Sequence, residues 1–488
     1  MSTTPDLRIH LPLDGPTAPR PGGEFVLYWM QTTHRAHDNF ALNFAIEQAN
    51  QLNLPVLVYH GLRHDYPWAS DRFHTWILES VVDLYADFAA KGIQYAFWLS
   101  HERGSFTEWP AGGRQVESGV GPARRPAPTH LFALAERAAL VVTDYFPTFI
   151  VPRQTRGLRR KTKTPVIAVE SCTVVPLRQI GKAHSTARGI RPVLMHALGH
   201  FLFPVPNPEP KVRRSIELPF EPVVPTAKAI PALVAACDID HTVPPSRSFR
   251  GGTRAGHARL KAFLKTGLVR YEERNDPNEP DAVSRLSPWL HFGNLSIHEI
   301  LLAVMDRRGE AEHELHPYPH ASLFVDQAVV WRELAHNFCH YDPKHRTVDA
   351  IPGWARKQLA DHESDPRPHL YSVEEMEQAR TGEELWNAAQ RWYLHEGWMH
   401  NYMRMLWGKT VLQWTSNAAE ALRVLEHLNN KYSLDGRDPN SYSGIFWIFG
   451  KFDRPFYPRP IYGNVRYMSL KAAKGKFDVK RYVAEAPS

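Results

Sequence analysis

Residues 284–287 read Ser-Arg-Leu-Ser and stand directly before Pro288, where a helix is expected to begin. The first turn of a helix leaves backbone N–H groups without partners, and these groups favour an anion such as a pyrophosphate. Serine at a helix start is also a common N-cap that binds no ligand. The residue types alone therefore leave two interpretations, an anion site or an ordinary helix start.

Tryptophans recur at helical spacing later in the chain. Trp407 and Trp414 are seven residues apart, which places them on one face of a helix, two turns apart. Gln327 and Trp331 are four residues apart and share a helix face for the same reason. With 14 Trp in the chain, these pairs fit either large helical cores or stacking and redox roles.

The composition bounds the class of protein. The chain has 488 residues, a net charge of +7 and a pI near 9.1, which suits a polyanionic partner. No apolar run approaches the ~20 residues that span a bilayer, and the N-terminus lacks a signal sequence, so we predict no membrane contact and a cytoplasmic location. The three cysteines are far apart and the 26 histidines include no metal-site spacing, so neither disulfides nor a metal is predicted.

The elements that must position these residues fall into two classes. Residues 24–205 alternate short apolar runs with helical periodicity, which is typical of a doubly wound (Rossmann-like) α/β domain with a parallel sheet. We predict strands at 25–29, 55–59, 94–98, 140–143 and 165–169, and helices at 38–50 and 70–90. Neither GxGxxG nor a Walker motif occurs, so no dinucleotide-binding or Walker site is predicted in this half.

The second half reads as helix from residue 255 onward, with long amphipathic segments at 321–337, 383–395 and 399–415. Gly, Arg and Pro make 101–128 an irregular insertion, and prolines mark a linker at about 204–250. The predicted organisation is a loose tail (1–20), an α/β domain (21–205), a linker (206–250) and an all-α domain (251–488).

Several longer motifs resemble the photolyase/cryptochrome family, and are most similar to its class II cyclobutane pyrimidine dimer (CPD) photolyases. They follow one another in the family's order and span most of 255–483: Tyr271 with Ser284–Pro288, Leu385–Gln390, Gly397–Met405 and Leu428–Asn440. The resemblance implies an α/β N-terminal domain, which in some members carries an antenna chromophore, and an all-α domain that binds FAD. Whether a deazaflavin or a folate occupies the α/β half is left open.

The resemblance also implies which residues bind FAD. Arg404 and Asp435 correspond to a pair beside the flavin ring, where a fixed cation stabilises a reduced, anionic flavin. A structural salt bridge between helices explains the same two residues equally well. The full set that the resemblance assigns to FAD is Tyr271, Ser284, Arg285, Leu286, Ser287, Arg332, Asn401, Arg404, Asn429 and Asp435.

Five tryptophans take roles by resemblance. Trp386, Trp407 and Trp414 match the class II chain that carries an electron from the surface to the photoexcited flavin. Trp331 and Trp447 match the aromatic residues that receive a flipped-out dimer. Two cations, Lys451 and Arg454, are expected to face the phosphates of the damaged strand.

One departure affects the expected activity. Gln327 stands where class II photolyases carry the glutamate that contacts the dimer, and an amide can donate a hydrogen bond but cannot readily give up a proton. The resemblance implies a deoxyribodipyrimidine photolyase, in which excited reduced FAD donates an electron to a flipped-out CPD in UV-damaged DNA. Two alternatives stay open, a cryptochrome-type blue-light receptor and repair of (6-4) photoproducts. We expect a monomer.

Overall fold

In the computed structural model, which describes residues 4–100, 129–306 and 319–487, the N-terminal half is a sheet covered by helices on both faces. Its six strands in the described residues have the order β1-β6-β5-β2-β3-β4, with only β1 antiparallel. The strands are β1 (Ile9–His10), β2 (Val26–Met30), β3 (Val56–Leu62), β4 (Gln94–Leu99), β5 (Leu140–Tyr145) and β6 (Val166–Glu170). The predicted doubly wound sheet is confirmed, and all five predicted strands are present.

Alternation along the strands explains the two covering layers. Val26, Tyr28 and Met30 point to the core beneath α1 and α2, whereas Leu27 and Trp29 point to the opposite core beneath α3 and α4. The helices of this half are α1 (Phe40–Leu52), α2 (Asp71–Ala90), α3 (Thr129–Arg137), α4 (Val151–Lys161), α5 (Leu177–Ile180) and α6 (Ala187–Phe201). Both predicted helices, 38–50 and 70–90, correspond to α1 and α2.

The first residues are not a loose tail, so the prediction for residues 1–20 is wrong from Asp6 to His10. Arg8 is fully buried and donates hydrogen bonds to the carbonyls of Thr173 (3.0 Å) and Val174 (2.6 Å). This anchor places Ile9–His10 on the edge of the sheet as β1. A two-residue strand is too short for its periodicity to be recognised in the sequence.

The segment between the halves is mostly irregular, as its prolines indicate, and contains one short helix, α7 (Ile230–Ala235). Asp240 of this segment pairs with Ser70 in an isolated β-bridge, so the segment lies against the α/β half. The insertion predicted at 101–128 lies outside the described residues. The domain boundaries at 205 and 250 stay predictions.

The described part of the C-terminal half is mainly helical, as predicted. Its helices are α8 (Thr253–Ala262), α9 (Ser287–His291), α10 (Ile297–Asp306), α11 (Pro319–Val325), α12 (Arg332–Tyr341), α13 (Gly353–Asp361), α14 (Val373–Glu377), α15 (Glu384–Glu396), α16 (Asn401–Gln413), α17 (Ala418–Tyr432), α18 (Pro439–Ile448), α19 (Leu470–Ala473) and α20 (Val479–Glu485). α15 to α18 share one hydrophobic core, which contains Trp386, Trp407 and Trp414.

One arginine ties the two halves together at that core. Arg72 of α2 is 1% exposed and donates to the carbonyls of Tyr393 (2.7 Å), Leu394 (2.5 Å) and Tyr432 (2.6 Å). These carbonyls lie in the last turns of α15 and α17, where backbone acceptors lack helical partners. Arg72 therefore fixes the ends of two helices that carry candidate site residues.

Candidate functional site

A buried ion pair between Arg404 and Asp435 lies at the centre of the helical half. Arg404 is in the first turn of α16, and Asp435 is in the tight segment that follows α17. Nη1 of Arg404 is 3.1 Å from Oδ1 of Asp435, and Nη2 is 3.4 Å from Oδ2. The carboxylate also accepts hydrogen bonds from the hydroxyls of Ser433 (2.5 Å) and Ser287. The structure thus brings Ser287, Arg404 and Asp435 together.

The pair is ionised across the neutral pH range. Burial alone would raise the pKa of Asp435, but Arg404 and the two serine hydroxyls hold that pKa below its ordinary value. Burial alone would lower the pKa of Arg404, and Asp435 raises it instead. A guanidinium that stays charged and is held by a fixed carboxylate is suited to an anionic partner.

Tyr393 completes this cluster, and sequence reasoning missed it. Its ring lies 5.5 Å below the Arg404 guanidinium, and its hydroxyl donates to Oδ1 of Asn429 (3.2 Å). A signal was available, because Tyr393 lies seven residues after Trp386 and so shares its face of α15. Of the two predicted asparagines, Asn429 joins the cluster, whereas Asn401 is exposed at the start of α16.

The three predicted relay tryptophans form a continuous chain of ring contacts. Trp407 and Trp386 are stacked with centroids 5.9 Å apart, and Trp386 meets Trp414 edge-on at 5.2 Å. All three are at most 3% exposed. Trp407 also meets Tyr393 edge-on at 5.6 Å, and Trp414 meets the partly exposed Tyr371 at 4.8 Å. The chain therefore begins beside the Arg404 cluster and ends towards the surface.

Polar atoms without partners lie beside the same pair. Among the described residues, Nε of Arg404, Nε2 of His400 and Nε of Arg285 are buried and have no hydrogen-bond partner. The three groups are neighbours, because the Arg404 backbone N–H donates to the His400 carbonyl (2.9 Å), and the Trp398 ring contacts both the His400 ring (6.2 Å) and the Arg285 guanidinium (4.8 Å). Burial lowers the pKa of His400 to about 4, and both arginines lower it further. Buried polar atoms are rarely left unsatisfied. Three in one place fit a polar ligand such as FAD.

The Ser284–Ser287 segment borders this region. Arg285 has a left-handed backbone (φ 56°), and its guanidinium lies over the rings of Trp398 (4.8 Å) and Phe249 (5.1 Å). The Ser284 hydroxyl accepts from the Leu286 N–H at 3.4 Å, and α9 has only five residues. The predicted helix start is confirmed, whereas its use as an anion site stays a prediction.

Tyr271 and Arg332 make their recognised contacts with residues other than Arg404 and Asp435. Tyr271 is buried against Phe324, with ring centroids 5.4 Å apart. Arg332 donates to the Cys172 carbonyl in the α/β half (2.5 Å). The predicted contact of Arg332 with FAD stays a prediction.

Gln327 and Trp331 lie on a π-helical turn that sequence reasoning did not predict. Residues 326–331 form this turn, in which the Arg332 N–H is bonded to the Gln327 carbonyl. In a π turn, residues four apart are separated by slightly less than one full turn. Gln327 and Trp331 therefore still share one side of the helix. Trp331 is 36% exposed and Gln327 is partly buried. Single π turns of this kind frequently occur at functional sites.

The two acidic residues at this turn are engaged elsewhere. Asp326 accepts two hydrogen bonds from Arg191 of α6 (2.8 and 3.0 Å). Glu333 is fully buried and accepts the Val174 N–H at 2.6 Å. Neither carboxylate takes the place of the glutamate expected at position 327.

Trp447 lines an open cleft of about 1050 Å³. Tyr402 and Met405 of α16 line the same cleft, together with Arg466. Trp331 is not among the described residues that line it. A cleft of this size is large enough for a nucleotide-sized group.

The two predicted phosphate contacts differ in their surroundings. The Lys451 ammonium is bonded to Asp342 (3.3 Å) and to the Ala350 carbonyl (3.0 Å), so it is directed inward rather than towards a phosphate. Arg454 is exposed, as a phosphate contact requires. The phosphate contacts of Lys451 and Arg454 stay predictions.

A second cavity, of about 170 Å³, lies mostly in the α/β half, with His291, Phe292 and Arg437 of the helical half in its wall. Residues at the carboxyl ends of β2 and β3 line this cavity. Open α/β sheets bind ligands at this edge. His34 lines it, is 3% exposed and has no hydrogen-bond partner among the described residues for either ring nitrogen. Aromatic residues form much of the wall: Trp29, Tyr59, Trp98, Phe132 and Phe292.

Comparisons with known proteins agree on one family. The family model described as DNA photolyase matches residues 26–211. The deoxyribodipyrimidine photo-lyase of Methanothermobacter thermautotrophicus is 35% identical, over 94% of this chain and 94% of its own. The Arabidopsis thaliana enzyme of the same name is 32% identical, over 98% and 90%.

Solved structures share the fold. A class III photolyase from Agrobacterium tumefaciens has a TM-score of 0.64 at 18% identity, covering 97% of this chain and 87% of its own. A photolyase from Sulfolobus tokodaii, described with two FAD molecules and a novel light-harvesting cofactor, has a TM-score of 0.62 at 18% identity, covering 94% and 89%.

The α/β sheet, the helical half and the buried arginine–aspartate site define a protein of the photolyase/cryptochrome class. The chain belongs to the DNA photolyase family, whose members bind FAD. No helix in the part of the chain that the structure describes is both long and apolar enough to cross a membrane. The cytoplasmic location and the monomeric state stay predictions.

Proposed function

We propose that the helical half binds FAD and that the protein repairs CPDs in UV-damaged DNA with blue light, as a class II photolyase. The observation that carries this is the Arg404–Asp435 pair lying next to the ring chain Trp407, Trp386 and Trp414. Bound FAD would supply light absorption and one-electron chemistry. Arg404, His400 and Arg285 are suited to hold it, because each has a buried nitrogen without a partner.

The substrate side of the proposal depends on exposed aromatic rings. Trp331 is exposed beside Gln327, and Trp447 lines the large cleft. A damaged base pair is poorly stacked, so extruding it costs little, and aromatic walls replace the lost stacking. Arg454 and the net charge of +7 favour binding of the phosphate backbone.

Binding tests this proposal before any chemistry. The purified chain is expected to carry the absorption bands of a flavin and to prefer an oligonucleotide with a thymine dimer over the undamaged one. Trp447→Ala should reduce that preference by roughly 5- to 100-fold, since stacking contributes about 1–3 kcal/mol per base. Absence of flavin, or equal affinity for damaged and undamaged DNA, would contradict the proposal.

Gln327 is expected to slow repair rather than abolish it. An amide can donate a hydrogen bond to a thymine carbonyl but cannot transfer a proton to it. Gln327→Glu should therefore raise the repair yield per absorbed photon, by up to roughly 100-fold if general acid catalysis is restored. Dimer loss is followed by chromatography, with Gln378→Glu as a control on an exposed helix end. An unchanged yield would show that position 327 does not contact the lesion.

A blue-light receptor is the second candidate function, and Gln327 is the observation that favours it. In that case the tryptophan chain would photoreduce the flavin without any dimer being repaired. The two functions differ in one result, which is dimer loss under light.

We also propose that the α/β cavity binds a second, flat chromophore, of which a deazaflavin and a folate are the candidates. The unpartnered nitrogens of His34 and the aromatic wall support this proposal. Burial lowers the pKa of His34 to about 3, so the ring is neutral and can both donate and accept a hydrogen bond. Added deazaflavin should bind, and His34→Leu should weaken its binding by roughly 10-fold for the lost hydrogen bond. Fluorescence quenching of the deazaflavin measures both affinities, and equal values would exclude His34 as a ligand.

A further inference from the structure

A lysine is buried directly behind Trp447. Lys409 of α16 is 0% exposed, and its Nζ donates to the Ile448 carbonyl at 2.7 Å. The same Nζ lies 4.8 Å from the centroid of the Trp447 ring. No carboxylate of the described residues is within 4.0 Å of this ammonium. A charged group that is fully buried requires compensating interactions, because burying an unpaired charge is costly.

The two contacts of Lys409 concern the same short stretch of chain. Ile448 is the last residue of α18, where a cation is favourable because backbone carbonyls lack partners. Trp447 precedes it, and a cation over an indole face attracts that ring. Lys409 therefore holds both the end of the helix and the aromatic side chain that emerges from it.

The other groups around the ammonium are few. Asp453 and Arg466 form a bidentate pair after α18 (2.7 and 3.2 Å), and Arg466 lies 5.5 Å from the Trp447 ring. The buried Tyr462 hydroxyl donates to the Lys409 backbone carbonyl (2.6 Å), and burial raises the pKa of this tyrosine. Of the surrounding side chains, Asp453 favours the ammonium form and Arg466 disfavours it.

We propose that Lys409 is a positioning residue that holds Trp447 at the rim of the cleft through its charged ammonium, and thereby sets the affinity for the lesion. The part concerning the lesion rests on the proposed function, whereas the hold on Trp447 does not. Lys409 touches no solvent, so it cannot bind a DNA phosphate itself.

The hold on Trp447 is expected to depend on pH. Burial lowers the pKa of Lys409 to about 7, with Asp453 opposing that change and Arg466 adding to it. The ammonium is therefore present below about pH 7 and is lost above it, while the neutral amine can still donate to Ile448. Tyr462 stays protonated throughout this range because its pKa is raised.

Fluorine NMR of the full chain labelled with 5-fluorotryptophan tests the hold directly. The Trp447 resonance is assigned by its absence in Trp447→Phe, and it is followed from about pH 6 to about pH 9. We expect it to move with a midpoint near 7 in the wild type and not to move in Lys409→Met. Lys409→Arg keeps the charge and should also show no midpoint, which covers the case in which Lys409→Met does not fold. A Trp447 resonance that does not move in the wild type, or that moves equally in the variants, would overturn the proposal.

Affinity for a thymine-dimer oligonucleotide tests the consequence. Lys409→Met should weaken binding by roughly 3- to 30-fold, the range of one cation–π contact. The slope of affinity against salt should not change, because no phosphate contact is removed. In a Trp447→Ala background, Lys409→Met should cause little further loss if Lys409 acts through Trp447. If the wild type does not bind the dimer, the proposed function fails, and the NMR result still decides the role of Lys409.

Discussion

Replacing Trp386 with phenylalanine is expected to reduce flavin photoreduction to near background while FAD stays bound. Among the described residues, Trp386 is the aromatic ring that contacts both Trp407 (centroids 5.9 Å apart) and Trp414 (5.2 Å). Trp407 and Trp414 themselves are separated by about 10 Å along α16. A phenyl ring fills most of the space but is much harder to oxidise than indole, so the electron path is interrupted.

Bleaching of the oxidised flavin under blue light, with an external reductant, measures this effect. Trp392→Phe is the matched control, because Trp392 lies on the same helix but outside the chain of ring contacts. Unfolding followed by circular dichroism should show that Trp386→Phe lowers the free energy of unfolding by about 1–3 kcal/mol, because the side chain is buried. Trp386→Phe protein reduced with dithionite should repair as well as the wild type. Photoreduction at the wild-type rate would exclude Trp386 from the path.

Replacing Asp435 with asparagine is expected to cause loss of FAD and the largest loss of stability. The substitution leaves the Arg404 guanidinium buried without its anion, and breaking a buried pair in this way costs about 3–5 kcal/mol. Since the pKa of Asp435 lies below its ordinary value of 3.8, its contribution is present above that value and is lost as the pH falls through the lower, folded-state pKa. Flavin retention should therefore be constant at neutral pH.

Flavin content after gel filtration and thermal unfolding measure the two effects. Glu426→Gln is the control, because Glu426 pairs with Arg346 (2.7 Å) in the same helical half and this pair is more exposed than Arg404–Asp435, so its loss should cost less. A folded Asp435→Asn protein with a full complement of FAD would show that the pair does not hold the flavin.

The fold was largely predictable because its signals are local. The strands of the α/β half are short apolar runs between helical repeats, and α15 and α16 match the periodic segments 383–395 and 399–415 within two residues. Features that depend on distant contacts were missed. Arg8 is buried only because carbonyls of residues 173 and 174 surround it, and the π turn at 326–331 depends on one shifted backbone hydrogen bond.

In the candidate site, too, some features were predictable from the sequence and others depend on distant contacts. Ser287, Arg404, Asn429 and Asp435 meet as the family resemblance implies, and the predicted tryptophans are in contact. The resemblance could not give the partners of long side chains. Lys451 is turned towards Asp342, and Arg332 is turned towards the α/β half, because each finds an acceptor there.

Light-driven dimer loss tests the central claim most directly. The purified protein is reduced with dithionite, mixed with a thymine-dimer oligonucleotide, and divided between blue light and darkness before chromatography. We predict that dimers are converted to thymines only in the light, and that the conversion exceeds the amount of protein, as turnover requires. Dimers that persist under light, in protein that carries reduced flavin and binds the oligonucleotide, would contradict the repair function and leave a blue-light receptor.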